Sequence, residues 1–320
     1  MSSPGSSDSN PRPLEPSVRS VRGVLNVNKP SGISSYDVIR RIKSLLRPSS
    51  PAPRPLPALG HAGTLDPLAS GVLLVLLGEA TKVSRFLLNL PKEYVAGVLF
   101  GKQTDTDDVT GKVVNEQPVD GLTAERVRDC LARFTGEIEQ VPPAFSALKQ
   151  DGQPLYRLAR KGVAVRPKPR KVSVYELELL EWNPPRASIR CRVSAGTYVR
   201  ALARDLGTAL GTVATLATLV RTRIGQFTVG DAAALDTLDA ALLADRLVPV
   251  ETALAGMPRM SVSPTQAQQL LQGKVVRGFE GSMSSGTDGF GMAETDDHRF
   301  LAVVVSNGSD LRTERIIYAD

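Results

Sequence analysis

Apolar residues alternate with polar ones in several short stretches, which is the pattern of strands that expose one face. Positions 23–28 show this alternation and predict a strand, and an uninterrupted apolar run at 72–77 predicts a buried strand. Strands are also predicted at about 94–100, 172–182 and 187–194.

Other stretches repeat apolar residues with the helical period. Apolar side chains fall along one side of 34–46, 122–134 and 198–210, which predicts three amphipathic helices. Thr123 is suited to cap the second helix, and Gly211 is suited to end the third.

The order of these elements lacks a regular strand-helix-strand alternation and therefore predicts an α+β fold. We expect a mixed, mostly antiparallel sheet with flanking helices, including two short helices within 231–254. Beyond about residue 259, a helix at 264–272 followed by short strands predicts a small β-rich module. The predicted divisions are a tail at 1–20, a large domain at 21–258 and the small module at 259–320.

Proline is concentrated in two stretches that we expect to lack regular structure. Residues 1–20 hold four prolines among many serines and predict a disordered tail. Residues 48–57 hold five prolines, which exclude a helix or an interior strand and predict an exposed loop.

Composition excludes several classes of protein. With 42% hydrophobic residues in 320, the chain can bury a sizeable core. Its longest apolar run is six residues, whereas a membrane helix needs about 20, and its start has no apolar stretch typical of a secretory signal. Two cysteines, Cys130 and Cys191, make neither a disulfide framework nor a zinc site. We therefore expect a soluble, cytoplasmic protein without a membrane anchor.

The net charge of +6 is unevenly distributed. Seven basic and no acidic residues fall within 157–171, whereas 261–320 contain five basic and eight acidic residues. The basic run is typical of a solvated surface, but it also suits a stripe that follows the phosphates of a nucleic acid.

The segment at 60–71 has the composition of a site that carries chemistry. Its glycines permit positive φ angles and a close approach of a ligand to the backbone. Asp66 precedes a proline and should project from an extended or turn backbone, ahead of a rigid apolar strand. That setting suits a carboxylate nucleophile or base, although an ordinary Asp-Pro turn is the alternative. The acidic run Thr104–Asp108 lacks the spacing of a calcium loop and is typical of a polar turn.

Six sequence segments occur in a fixed order along the chain: LNVNKPSGISS (25–35), GHAGTLDPLASGVLLVLLGEATK (60–82), KEY (92–94), FGKQTDTD (100–107), VPPAFSALK (141–149) and GTYVR (196–200). In order and spacing these segments resemble the motifs of the TruB family of pseudouridine synthases, the bacterial enzymes that act on uridine 55 of tRNA. The similarity covers 23–230 closely and continues more loosely to the C-terminus.

The resemblance implies a pseudouridine synthase fold and an isomerase that needs no cofactor or metal. In this reaction the N1–C1′ bond of uridine breaks, the base rotates, and C5 is joined to C1′. Asp66 would be the catalytic aspartate, attacking either C6 of the base or C1′ of the ribose. Arg200 would pair with Asp66, and Tyr94 would stack on the extruded base and take part in removing the C5 proton.

The resemblance also implies two groups of contacts with RNA. Residues expected to bind the target nucleotide are Lys29, His61, Gly63, Thr64, Leu65, Tyr198 and Leu219. A segment at about 141–172 would grip the RNA, which favours the phosphate interpretation of the basic run; its candidate contacts are Lys149, Tyr156, Arg157, Arg160, Lys161 and Arg170. The module at 259–320 would be a PUA-like RNA-binding domain, although it contains more acidic than basic residues.

The implied partner is the T-stem loop of tRNA, bound by a monomer that requires no protein partner. The stretch at 48–57 is an apparent insertion relative to the family, and Phe145 stands where many members have tyrosine. The alternatives are a non-catalytic RNA-binding or RNA-folding protein of the same fold, and a carboxylate-dependent enzyme acting on small nucleosides. Retention of Asp66, Tyr94 and Arg200 favours the isomerase over the first, and the basic run favours it over the second.

Overall fold

The structure is a computed structural model of the 320-residue chain. It describes residues 21–47, 56–146, 148–150, 152–160, 163, 165, 167–279, 289–307 and 309–319. The predicted tail and most of the proline-rich stretch lie outside the described residues.

Short strands and helices alternate irregularly along the described chain. The strands are β1 (Gly23–Lys29), β2 (Leu59–Ala62), β3 (Ser70–Leu77), β4 (Lys92–Phe100), β5 (Lys102–Thr104), β6 (Val113–Glu116), β7 (Gly136–Gln140), β8 (Lys149–Gln150), β9 (Gln153–Pro154), β10 (Arg170–Asn183), β11 (Arg186–Val193), β12 (Ala214–Ile224), β13 (Phe227–Thr228), β14 (Ala233–Ala234), β15 (Leu247–Val248), β16 (Arg259–Ser261), β17 (Phe290–Glu294), β18 (Phe300–Asn307) and β19 (Asp310–Ala319). The α-helices are α1 (Ser35–Leu45), α2 (Ser84–Asn89), α3 (Ala124–Arg133), α4 (Leu155–Arg160), α5 (Val199–Ala209), α6 (Ala240–Asp245), α7 (Val250–Ala253) and α8 (Pro264–Leu271), and a 3₁₀ helix spans Gly78–Val83.

Within the described ranges, eleven strands form one large mixed sheet. Its main order is β14-β1-β3-β12-β4-β11-β10-β7, with β2, β13 and β15 pairing with β3, β12 and β1. The pairs β1–β14 and β3–β12 are parallel, and the other pairs in this sheet are antiparallel. The predicted α+β fold with a mostly antiparallel sheet is therefore confirmed.

The predicted helices form where their local signals place them. Ser34 caps α1 in a capping box, in which its hydroxyl accepts from the Asp37 N–H and the Asp37 carboxylate accepts from the Ser34 N–H. Thr123 caps α3 by accepting from the Arg126 N–H. The chain leaves α5 through Gly211, whose φ of +78° is in the left-handed region that favours glycine.

A second sheet, in the order β16-β17-β18-β19, forms the C-terminal module. Leu301 and Val303 from this sheet share a hydrophobic core with Leu74 and Leu87 of the large domain. The module is therefore packed against the large sheet rather than tethered beside it. The division of the chain at residue 258 stays a prediction, although β16 begins directly after that point.

Candidate active site

A loop between β2 and β3 carries Asp66. Gly63, with a φ of +92°, directs the chain out of β2. The Ala69 N–H donates to the Asp66 carbonyl at 3.0 Å and closes a turn before β3 begins. The Asp66 side chain is 39% exposed, so its carboxylate is accessible to a ligand.

The residues that precede and begin α1 hold this loop in place. The Gly32 N–H donates to the Pro67 carbonyl at 2.7 Å. The buried Ser35 hydroxyl donates to the Leu65 carbonyl at 3.1 Å and accepts from the Leu65 N–H at 2.9 Å. These contacts fix the backbone on both sides of Asp66, and a rigid backbone is what a positioned carboxylate requires.

Arg200, near the start of α5, lies against Asp66. Its Nε is 2.9 Å from Asp66 Oδ2, an ion pair in which the N–H is not aligned for a hydrogen bond. Its Nη1 donates to the Thr106 carbonyl at 2.8 Å and its Nη2 to the Phe145 carbonyl at 3.0 Å. Because only 5% of the side chain is exposed, these carbonyls leave the guanidinium little freedom to turn away from Asp66.

The acidic run Thr104–Asp108 forms a turn between β5 and β6, as predicted, but it also reaches the site. Asp108 Oδ2 lies 3.7 Å from Arg200 Nη1. Asp108 Oδ1 accepts from the Thr106 hydroxyl and from the Thr110 N–H, both at 3.0 Å. The turn therefore presents a carbonyl and a carboxylate to the same guanidinium.

Apolar side chains from two strands form a wall beside the loop. Tyr94 on β4 and Leu219 on β12 belong to the same core cluster as Leu65, and each of the three is less than 10% exposed. Their strands are adjacent and antiparallel. The structure thus brings together three residues that the family resemblance assigns to the target nucleotide.

Three buried cations lie behind the loop and donate to backbone carbonyls. Arg221 on β12 donates to Gly63 at 2.9 Å and to Val72 at 2.7 Å, which ties the loop to β3. Lys29 Nζ donates to the carbonyls that follow β1, and Lys92 Nζ donates to carbonyls just before β4. Lys29 therefore holds backbone in this structure, and its assignment to substrate binding stays a prediction.

The two buried lysines are less basic than usual. Burial, and then the charge of Arg221, lowers the pKa of Lys29 and that of Lys92 from 10.5 to about 8. The same two causes lower the pKa of His61 on β2. The His61 Nδ1 atom is buried without a hydrogen-bond partner among the described residues. A neutral imidazole suits the space-filling role that the resemblance implies for it.

Tyr198 is held from two sides just before α5. Gln140, fully buried at the end of β7, accepts from the Tyr198 N–H at 2.8 Å and donates to its carbonyl at 3.1 Å. The Arg170 guanidinium lies 4.7 Å from the centre of the Tyr198 ring and donates to the Gly196 carbonyl. Arg170, predicted as an RNA contact, therefore also packs on a predicted nucleotide-binding residue.

The remaining predicted residues are only partly described. Thr64 is exposed in the loop, and Arg157 is exposed on α4. Lys161 and the side chains of Lys149, Tyr156 and Arg160 lie outside the described residues. Their contacts with RNA stay predictions.

Sequence patterns missed Ser35, Gln140 and Arg221 as site residues. Ser35 ends the LNVNKPSGISS segment, and that resemblance was its only signal. β12 contains two arginines, and nothing in its mixed sequence distinguishes the buried Arg221 from the exposed Arg223. Gln140 carries no signal of its own, because its importance depends on a contact across the fold.

Among the described residues, no group of three or more His, Cys, Asp or Glu side chains is arranged to hold a metal ion. No described helix is both long and apolar enough to cross a membrane.

Comparison with known proteins identifies the family. Residues 56–199 match the model described as TruB family pseudouridylate synthase (N terminal domain), and residues 200–255 match the tRNA pseudouridylate synthase B C-terminal domain. The chain belongs to the TruB family. Asp66 lies in the part matched by the first TruB model, and Arg200 is the first residue of the part matched by the second.

TruB relatives match this chain over most of its length. The tRNA pseudouridine synthase B of Azoarcus sp. (strain BH72) is 42% identical over 93% of this chain and 96% of its own length. That of Ralstonia pickettii (strain 12J) is 42% identical over 82% of each chain. A crystal structure of a Cbf5-Nop10-Gar1 complex contains a similar chain, with 26% identity and a TM-score of 0.69 over 93% of this chain and 85% of that one. These matches confirm the predicted pseudouridine synthase fold.

Proposed function

We propose that the protein converts uridine 55 in the T-arm of tRNA to pseudouridine. The ion pair between the accessible Asp66 carboxylate and the buried Arg200 guanidinium is the observation that carries this proposal. Membership of the TruB family supports the reaction. Identity of 42% to relatives named tRNA pseudouridine synthase B supports tRNA as the substrate.

The reaction is an isomerisation in which atoms and electrons balance within the substrate. The N1–C1′ bond breaks, the uracil rotates, and a C5–C1′ bond forms. One proton leaves C5 and one is taken up at N1, so no oxidant or reductant is needed. Asp66 acts as the nucleophile, either at C1′ of the ribose or at C6 of the base, and is released when the new glycosidic bond is complete.

The surrounding residues prepare Asp66 for that role. Arg200 orients the carboxylate and compensates its charge when the bound base excludes water from the site. Tyr94 stacks on the extruded uracil and takes part in removing the C5 proton. Leu65 and Leu219 complete the apolar wall against which the base lies.

Uridine inside stacked RNA cannot reach Asp66, so the enzyme must extrude it, at a cost of about a few kcal/mol. Stacking on an aromatic side chain, worth about 1–3 kcal/mol per base, offsets that cost. We expect the basic run at 157–171, including the exposed Arg157, to contact the phosphates. We expect the protein to act in the cytoplasm as a monomer, with the module at 259–320 as a PUA-like contact to the RNA.

Release of tritium from tRNA that carries [5-³H]uridine tests the proposal, because only loss of the C5 hydrogen frees the label. We expect wild-type protein to release one label per tRNA, and tRNA with cytidine at position 55 to release none. Asp66→Asn should abolish release while changing tRNA affinity less than about threefold, because the substitution is nearly isosteric and the phosphate contacts remain.

The matched control is Asp120→Asn, which changes an exposed aspartate in a loop and should leave release unchanged. Wild-type protein that releases no label would refute the function. Activity of Asp66→Asn equal to wild type would refute the role of Asp66, and release from the cytidine-55 tRNA would refute the assigned position.

A further inference from the structure

Two arginines one helical turn apart on α5 hold the same two segments of chain. Arg200 binds the turn between β5 and β6 and the segment after β7, through the carbonyl contacts described above. Arg204 repeats this arrangement behind it. Its Nη1 lies 2.8 Å from Asp107 Oδ2 in the same turn, and its Nη2 donates to the Val141 carbonyl at 2.9 Å.

Asp107 occupies an unusual place in that turn. Its φ of +61° lies in the left-handed region, which residues other than glycine rarely adopt and which aspartate and asparagine tolerate best. It is 7% exposed, and its carbonyl accepts from the Leu216 N–H at 3.0 Å. Its neighbours Thr106 and Asp108 are the two residues of the turn that face Arg200.

A contact with Asp205 holds the Arg204 guanidinium in position to pair with Asp107. Its Nε donates to Asp205 Oδ1 at 2.9 Å on the same helix. Burial raises the pKa of Asp107, and the charge of Arg204 opposes that effect. The ion pair therefore joins a preorganised cation to a carboxylate with little access to water, where such pairs are strong.

We propose that Arg204 and Asp107 form a positioning pair that sets the location of Arg200, and through it that of Asp66. This inference rests on the proposed function. Neither residue contacts Asp66 in the structure. Without the pair, the left-handed residue relaxes, the Thr106 carbonyl and the Asp108 carboxylate shift, and Arg200 follows them. A displacement of about 1 Å at reacting groups can reduce a rate by about a hundredfold.

Single-turnover tritium release with enzyme in excess tests the pair. Arg204→Met and Asp107→Asn should each lower the rate constant by about 10–100-fold while changing tRNA affinity less than about threefold. Asn keeps the size and the left-handed tolerance of Asp and removes only the charge. The double variant should be no more than about threefold slower than the slower single variant, because both substitutions remove the same interaction.

Two further variants separate positioning from general stability. Arg204→Lys keeps the charge, but a single ammonium cannot bind Asp107 and the Val141 carbonyl as the planar guanidinium does. We therefore expect a rate constant between those of wild type and Arg204→Met. Arg85→Met removes an ion pair to Glu314 at 2.8 Å, far along the chain in the interface with the C-terminal module, and should retain the wild-type rate. Thermal unfolding of every variant checks that it is folded, and Asp107→Asn decides the question if Arg204→Met does not fold.

The outcomes distinguish this inference from the function on which it rests. No release by wild-type protein would refute the function and the pair together. Wild-type release that is unchanged in Arg204→Met and Asp107→Asn would refute the pair alone. A loss of tRNA affinity equal to the loss of rate would also refute positioning and would assign both residues to RNA binding.

Discussion

Replacing Lys92 with methionine should change how the stability of the protein depends on pH. The Lys92 side chain is 5% exposed, and its Nζ donates to the Leu90 carbonyl at 2.7 Å and to the Leu88 carbonyl. Its ammonium is thus bound by backbone oxygens rather than by a carboxylate. Burial, and then the charge of Arg221, lowers the pKa of Lys92 from 10.5 to about 8.

The direction of the effect follows from proton linkage. Between the two pKa values the unfolded chain binds the proton that the folded chain has lost, so the free energy of unfolding rises with pH. A lowering of the pKa from 10.5 to about 8 makes the contribution of Lys92 rise by about 1.3 kcal/mol from about pH 7 to about pH 9, and by about 2.5 kcal/mol to about pH 10. Below about pH 7 the contribution is constant.

Chemical denaturation of wild type and Lys92→Met at several pH values measures this contribution. The difference between their free energies of unfolding cancels the titration of all other groups, provided that the substitution leaves those groups in place. We expect wild type to gain stability relative to the variant as the pH rises. Methionine also leaves two carbonyls without their donor, but that loss shifts the difference by the same amount at every pH.

Lys112→Met serves as the control, because the Lys112 side chain is exposed to solvent in the folded protein as it is in the unfolded chain. Its difference from wild type should be flat over the same range. A flat difference for Lys92→Met, within about 0.5 kcal/mol, would refute the claim that the folded state holds this ammonium at a cost, as would a difference of opposite sign.

Two further predictions concern residues that position the site. Arg170→Lys should slow tritium release several-fold, because lysine lacks the planar group that lies over the Tyr198 ring. The affinity for tRNA, measured by filter binding, should stay nearly unchanged; a loss of affinity without a loss of rate would favour a phosphate contact. Ser35→Ala should lower the free energy of unfolding, measured by chemical denaturation, by about 1–3 kcal/mol, because the buried backbone of Leu65 loses two hydrogen bonds. Stability equal to wild type would show that the loop does not depend on these two hydrogen bonds.

Elements with local signals are predictable from the sequence, and elements defined by distant partners are not. Helix α3 depends on Thr123 and an apolar stripe, both visible in one short segment. Strand β12 lies at the centre of the large sheet, yet its sequence, ATLATLVRTRI, mixes small, polar and apolar residues without a clear period. It becomes a strand because β3 and β4 pair with it from both sides, and such pairing cannot be seen in its own residues.

The same distinction applies to the candidate site. Asp66 lies among glycines and before a proline, so local chemistry singles it out as a candidate. Its pairing with Arg200 depends on a contact between segments far apart in the chain, and only the family resemblance indicated it before the structure showed the ion pair. Lys29 and Lys92 give no sign of their burial, because lysine is ordinarily a surface residue.

The buried cations address a difficulty of any enzyme that presents a carboxylate to RNA. On the proposed function, Asp66 must approach a polyanion that would repel it, and a surface lysine placed nearby would pair with the phosphates instead. Lys29, Lys92 and Arg221 lie beneath the loop, where they donate to backbone carbonyls and exchange little with phosphate. With pKa values of about 8, the two lysines remain mostly protonated near neutral pH. Their charge therefore acts on the loop that carries Asp66 through a medium that screens it less than water does.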